Sequence, residues 1–192
     1  MIKEQFLYFA LYPSREGVKA ITTNGTSDRR GYAGLLDALD ALPGTPRVPA
    51  IENYVYGQSF DDLQSRISRL HGSFLFVDYG EFGQTTMAGS HLLTQRIAVT
   101  VAEKMSNRAD QGEYMLASDN TLRLLSEVHA WMLADADRGN IDWLSRDALL
   151  RAEIVPFVAT ELSSFGWTLM TDCTAPDPLG THAMSKSFAR RL

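Results

Sequence analysis

The sequence predicts an α+β fold in which two or three helices pack on a mostly antiparallel sheet, with an N-terminal extension. Residues 95–103 alternate between apolar and polar side chains, as in a strand with one buried face. Residues 59–70 place their apolar side chains on one helical face. Residues 154–162 and 167–173 are two strand-like runs joined by a loop of hairpin length. Adjacent strands joined by short loops favour antiparallel pairing.

The chain divides into an N-terminal extension over residues 1–30, a single α+β domain over 31–175 and a C-terminal tail over 176–192. A length of 192 residues suits one domain and buries roughly 70% of the surface of the unfolded chain. Hydrophobic residues make up 45% and charged residues 21%, as in ordinary globular domains. Such a chain needs neither a disulfide nor a metal to hold its core.

The first half of the domain combines helical spacing of leucines, runs of β-branched and aromatic residues, and turn residues between them. An Asp or Ser at a helix start and a Gly after its end mark the boundaries. These patterns predict a helix over residues 32–42 that stops at Pro43, and then a short strand over 51–56. A second helix is predicted from Ser59 to Gly72. After it we expect a central strand over 73–79 that is buried on both faces, and then a polar loop over 80–90.

The second half contains the alternating strand, a polar stretch over 104–113 and a second amphipathic helix. We expect Ser118 or Asp119 to cap this helix, and we expect it to end before Gly139. A short helix or turn is predicted over 142–152. Pro156 lacks a backbone N–H, which predicts that the first strand of the closing hairpin lies at an edge of the sheet.

The charge balance bears on possible partners. The chain has 18 basic and 23 acidic residues and a net charge of −5, which argues against sequence-specific nucleic-acid binding. Arg29-Arg30 and Arg190-Arg191 are short basic pairs that could contact an acidic partner or DNA, but a solvated surface explains them more simply. The apolar run over 6–12 is too short to span a bilayer, and no membrane partner is expected.

No catalytic, cofactor-binding or metal-binding residue is predicted. The four histidines, His71, His91, His129 and His182, are too far apart in sequence to suggest a shared metal. Residues 135–142 superficially suggest a calcium loop, but they lack the EF-hand spacing, and a polar turn at a helix end is expected. The single cysteine, Cys173, is expected to be a small packed or half-packed side chain. Glycine-rich phosphate-binding motifs and a G-x-S-x-G elbow are absent from the sequence.

From Ser59 onward, an amphipathic helix leads into an apolar strand, then a polar loop, an alternating strand, a long helix and a closing hairpin. This order resembles that of bacteriophage tail-terminator and tail-completion proteins, over about residues 31–175. The resemblance implies a phage or prophage structural protein with no catalytic residues and no cofactor. It further implies a homo-hexameric ring that contacts tail-tube or neck proteins, in the cytoplasm during assembly and then in the virion.

Two other functions remain open on the sequence alone. A small binding or regulatory domain would be a monomer or dimer with one concave apolar site. An enzyme without a recognisable motif would bring together some members of a set that is scattered in sequence and can carry proton-transfer or nucleophilic chemistry. The members of this set are His71, His91, His129, Asp78 and Cys173.

Overall fold

The computed structural model describes residues 1–22, 27–58, 64, 67–87, 90–106, 109–139 and 141–176. The predicted α+β class is confirmed, because these ranges contain five α-helices and a six-stranded, mostly antiparallel sheet. The helices are α1 (Ile2–Phe9), α2 (Arg15–Ala20), α3 (Tyr32–Asp40), α4 (Gln111–Asp137) and α5 (Arg146–Leu150). The strands are β1 (Asn53–Gly57), β2 (Ser73–Asp78), β3 (Phe82–Met87), β4 (Ser90–Lys104), β5 (Glu153–Ala159) and β6 (Ser164–Pro176).

The sheet has the order β1-β2-β4-β6-β5, and β3 pairs with the first part of β4. β1 and β2 are parallel because the chain crosses back between them, whereas the other pairs are antiparallel. β2 lies between β1 and β4, and its residues from Phe74 to Val77 are at most 4% exposed. The prediction of a central strand buried on both faces is therefore confirmed.

The prediction of a polar loop over residues 80–90 is wrong, because residues 82–87 form β3. Phe82 lies opposite Gln95, and the pairing continues to Met87 opposite Ser90. The stretch is polar in sequence because residues 82–85 are exposed at the surface of the sheet. β3 supplies backbone partners to the part of β4 that extends beyond β2.

A one-residue bulge separates β2 from β3. The paired residues Asp78 and Phe82 are four positions apart along the chain, whereas their partners Ala98 and Gln95 on the opposing strand are three positions apart. Gly80 lies in the bulge at φ 45°, and a Cβ there would lie 2.2 Å from the carbonyl oxygen of Arg96. Glycine is therefore required by both the backbone conformation and the close approach.

The start of α4 lies earlier than predicted. Asp110, rather than Ser118 or Asp119, is the N-cap, and it forms a capping box with Glu113. The sequence pattern missed these turns because residues 111–116 are all exposed, so no apolar periodicity marks them. Contact with the core begins at Ala117, which is 7% exposed. The helix ends before Gly139, as predicted.

The remaining elements after β1 match the sequence in outline. The short helix predicted over 142–152 is α5, and Pro156 lies on the edge strand β5, as expected. β5 ends at Ala159, and a 3₁₀ turn over Thr160–Leu162 leads into β6. Ser163 reverses the chain at φ 46°. The helix predicted from Ser59 and the tail over 177–192 lie largely or wholly outside the described residues.

The segment predicted as an N-terminal extension contributes side chains to the main core. Phe9 and Tyr12 in this segment are fully buried in one apolar cluster with Val99 of β4 and Leu125 of α4. The hydroxyl of Tyr54 in β1 donates a hydrogen bond to the carbonyl oxygen of Phe6 (2.9 Å). The apolar run over 6–12 therefore covers one face of the sheet beside α4.

Candidate interaction surfaces

Of the residues that a motif-free enzyme would have to bring together, the structure describes the side chains of His71, Asp78, His129 and Cys173, and no hydrogen bond or ion pair joins any two of them. His71 precedes β2 and Asp78 ends it, so about 20 Å of strand separates them. The His129 ring on α4 contacts the carbonyl oxygen of Leu149 on α5 through Nε2 (3.1 Å). Asp78 accepts a hydrogen bond from the backbone of Gly80. The side chain of His91 and all of His182 lie outside the described residues.

Cys173 is a core residue, as the sequence predicts. It is fully buried on β6, opposite Gln95. Burial raises the pKa of its thiol to about 12, and the charge of Asp172 adds to the effect. The thiol therefore stays protonated near neutral pH, where a nucleophilic cysteine would be a thiolate.

Asp135, the first residue of the apparent calcium loop, belongs instead to a buried ion pair. Its carboxylate is 8% exposed and lies 2.5 Å from Nη1 of Arg47. It also accepts a hydrogen bond from the Tyr8 hydroxyl (3.0 Å) and pairs with Arg138 (3.2 Å). Within the described ranges, no group of three or more His, Cys, Asp or Glu residues is placed to hold a metal ion.

Aromatic rings surround the Arg47 guanidinium. Its central carbon lies 5.0 Å from the ring centre of Trp131, 5.2 Å from that of Tyr12 and 5.5 Å from that of Tyr8. The sequence did not reveal this cluster, because Arg47 and Asp135 are 88 positions apart and neither lies in a motif. It joins α1, α4 and the connector before β1, which is a structural role.

A concave surface, here called the aromatic groove, opens between α1, the start of α3 and the ends of β1 and β2. Its cavity volume is about 420 Å³. Tyr56 and Tyr79 stack on one wall, with ring centres 5.0 Å apart and planes at 24°. The groove is lined by Ile2, Lys3, Phe6, Arg29, Arg30, Gly31, Tyr32, Leu35, Tyr56 and Tyr79.

Hydrogen bonds fix the wall of the aromatic groove, and the one between Gln5 and Gln95 is buried. The amide of Gln5 donates to the side-chain oxygen of Gln95 (2.7 Å), and the Gln95 amide donates to the Tyr79 carbonyl oxygen. The Tyr56 hydroxyl donates to the carbonyl oxygen of Ile2 (3.0 Å). Because these hydrogen bonds cross from α1 to β4 and the end of β2, they hold Tyr56 and Tyr79 in a preformed arrangement.

Arg29 and Arg30 were interpreted from the sequence as solvated surface residues. The structure places both of them beside this groove, which the sequence did not indicate. Both are exposed, as is Lys3 on the neighbouring helix. None of the three forms an ion pair with another described residue. The groove thus combines an apolar wall with three cations that form no ion pair with the described acidic residues, in a chain of net charge −5.

A second surface, here called the α4 knob, consists of Tyr114, Met115 and Leu116. These side chains are 42%, 66% and 67% exposed on the first two turns of α4, before the helix buries its first side chain at Ala117. The Tyr114 ring meets the edge of the Phe165 ring, at 6.0 Å between centres. Beside it Val158 on the edge strand β5 is 62% exposed, and Tyr114 and Val158 line one pocket.

Two cavities flank the α4 knob. One, of about 340 Å³, lies between Tyr114 and the β5–β6 turn. The other, of about 400 Å³, lies between Leu116 and residues 103–106 at the end of β4. A ridge of apolar side chains between two hollows presents a shape that another protein surface can interlock with.

Comparison with known proteins identifies no relative: no family model, no curated protein and no solved structure matches the chain. Among the described residues, no helix is both long and apolar enough to cross a membrane.

Proposed function

We propose that this protein is a self-associating assembly protein that acts by protein–protein contacts, in the manner of a phage tail terminator. The observation that carries the proposal is the α4 knob. Met115 and Leu116 are about two-thirds exposed on a regular, capped helix, and Tyr114 and Val158, which line one pocket, are 42% and 62% exposed. Large apolar side chains exposed together at one end of a helix mark interaction sites, since their exposure to water is unfavourable.

The element order adds support. β2, β4, the long helix α4 and the β5–β6 hairpin come in this order along the chain, with β3 in place of the polar loop and α5 before the hairpin. The resemblance to tail-terminator proteins rests on the order of these four elements. The polar stretch over 104–113, where we expect subunit contacts, leads into the α4 knob and lines the cavity beside Leu116. Tail-tube or neck proteins are the proposed further partners.

Light scattering on a size-exclusion column, with negative-stain electron microscopy of the same fractions, tests this proposal. Six copies of a 21.3 kDa chain give a closed ring of about 128 kDa. A ring of that mass supports the proposal. A protein that stays monomeric at every concentration contradicts it.

The aromatic groove favours a second candidate function, a binding domain for an acidic peptide with apolar side chains from another protein. Its volume of about 420 Å³ falls within the roughly 300–1,000 Å³ range of binding clefts. This alternative expects a monomer that binds acidic peptides. It is distinguished from the first proposal by the same mass measurement.

A further inference from the structure

The aromatic groove and the α4 knob carry opposite local charge. The side chains that line the groove include three cations, Lys3, Arg29 and Arg30, and no carboxylate. The side chains that line the cavity beside Leu116 include two carboxylates, Glu103 and Glu113, and one cation, Lys104, a balance of −1. An acidic, apolar knob is thus complementary to a basic, apolar groove.

The two surfaces lie toward diagonally opposite corners of the sheet. Phe165 beside the knob pairs with Glu103 of β4, whereas Tyr79 in the groove follows Asp78, which pairs with Ala98. The corners are therefore about 20 Å apart along the strands and about 15 Å apart across β1, β2, β4 and β6. One copy cannot bring its own knob to its own groove, because both surfaces are built on the same rigid sheet.

We propose that the aromatic groove of one copy receives the α4 knob of the next copy, in a head-to-tail contact that repeats around a ring. This inference rests on the proposed assembly function and assigns its subunit interface. Two different surfaces in contact make a heterologous interface, which forms a closed ring when the rotation between copies closes. Met115 and Leu116 enter the groove, while its arginines face the carboxylates around the knob.

Other occupants fit the groove less well. The C-terminal segment over 177–192 contains Lys186, Arg190 and Arg191 against a single acidic residue, Asp177, and is repelled by the basic rim. Nucleic acid is disfavoured by the net charge of −5. Tyr56 and Tyr79 also stack on each other rather than presenting both ring faces to a base.

The test uses two double variants of the full chain. The groove variant is Arg29→Glu with Arg30→Glu, and the knob variant is Met115→Ser with Leu116→Ser. All four positions are exposed, so both variants should fold, which circular dichroism and thermal unfolding check. Each variant alone should run as a 21.3 kDa monomer.

An equimolar mixture of the two variants is the decisive sample. The knob variant retains an intact groove and the groove variant retains an intact knob, so one contact can form and no further one. The mixture should therefore give a 1:1 heterodimer of about 43 kDa, two chains of 21.3 kDa, and nothing larger. An interface in which each surface contacts its own counterpart cannot give this result. A reciprocal two-fold pairing of knob and groove is excluded separately, because its wild type would be a dimer of about 43 kDa, two chains of 21.3 kDa, and not a ring.

Matched controls change the same chemistry elsewhere. Arg69→Glu with Arg151→Glu reverses two exposed charges away from the groove. Leu150→Ser with Ile154→Ser removes two apolar side chains that are 56% and 42% exposed away from the knob. Both controls should assemble like the wild type.

Three outcomes overturn the inference. If groove and knob variants still form the wild-type ring, the interface lies elsewhere, while the assembly function stands. If each variant is monomeric but the mixture does not form a heterodimer, the two surfaces do not bind each other. If the wild type is monomeric throughout, the interface and the assembly function both fail. Binding of a single-stranded oligonucleotide that the groove variant abolishes would then assign the groove to nucleic acid.

Discussion

Replacing Arg47 with Met should destabilise the fold strongly, because it leaves the buried carboxylate of Asp135 without its main partner. The two side chains are joined twice, Nη1 to Oδ2 at 2.5 Å and Nη2 to Oδ1 at 3.4 Å. Asp135 is 8% exposed and Arg47 is 21% exposed. Met preserves much of the length and apolar volume of the arginine stem, so the change tests the charge more than the packing.

The magnitude follows from what remains around Asp135. Removing one partner of a fully buried pair costs about 3–5 kcal/mol. Arg138 still lies 3.2 Å from Oδ1, although it is 57% exposed, and Tyr8 still donates a hydrogen bond. We therefore expect the free energy of unfolding to fall by about 3 kcal/mol, at the lower end of that range. This figure includes the attraction between the guanidinium and the three aromatic rings around it.

A double-mutant cycle with Asp135→Asn measures the pair directly. Urea denaturation gives the free energy of unfolding of wild type, both single variants and the double variant. The double variant should cost clearly less than the sum of the two singles, by about 2 kcal/mol. Arg96→Met is the control, because its pair with Glu153 is exposed, at 61% and 64%, and should contribute less than about 1 kcal/mol. Strict additivity, or a destabilisation by Arg47→Met no larger than that of the control, would refute the reasoning.

Three further predictions concern single positions. The Cys173 thiol, whose pKa burial raises to about 12 from an ordinary 9.0, should not react with a thiol reagent at neutral pH until the protein unfolds. Because the unfolded thiol loses its proton first, the stability advantage of wild type over Cys173→Ala should shrink as pH rises from about 9 toward about 12, as denaturation at each pH will show. Gly17→Ala would place a Cβ 2.0 Å from the backbone oxygen of Glu52, so the free energy of unfolding should fall by about 2–3 kcal/mol. Gly34→Ala, in an open helical position, is the control and should be neutral or stabilising. Equal melting temperatures of the two variants would contradict this prediction. Asp110→Ala removes the capping box of α4 and should cost about 1 kcal/mol in urea denaturation, and no change would mean that these exposed turns add nothing to stability.

Short-range patterns in the sequence determined the fold class and most of the elements. β2 could be predicted as a central strand because burial on both faces leaves a continuous apolar run at residues 74–77. The alternation in residues 95–103 indicated a strand, but its centre is buried on both faces, since Thr100 and Ala102 are at most 2% exposed. The proline in β5 indicated an edge strand for an equally local reason. Cys173 was expected to be packed or half-packed in an apolar-polar run, and it is fully buried.

Elements that lack a buried face could not be predicted from such patterns. β3 and the first two turns of α4 are exposed, so they carry no apolar periodicity, and their pairing or capping depends on atoms supplied by β4 and by Asp110. The N-terminal helix could be seen to be apolar, but its place over the sheet depends on contacts such as that between Phe6 and Tyr54, 48 positions apart.

The candidate site was decided by tertiary structure alone. Arg29 and Arg30 are a short basic pair in sequence, and only folding places them beside Tyr56 and Tyr79. In the same way, Met115 and Leu116 are part of an ordinary stretch until α4 extends past the sheet and leaves them exposed. Local sequence determines which elements form, because hydrogen bonding and burial periodicity act over a few residues. The surfaces available to a partner depend on where those elements stop covering one another, which is a property of the packed chain.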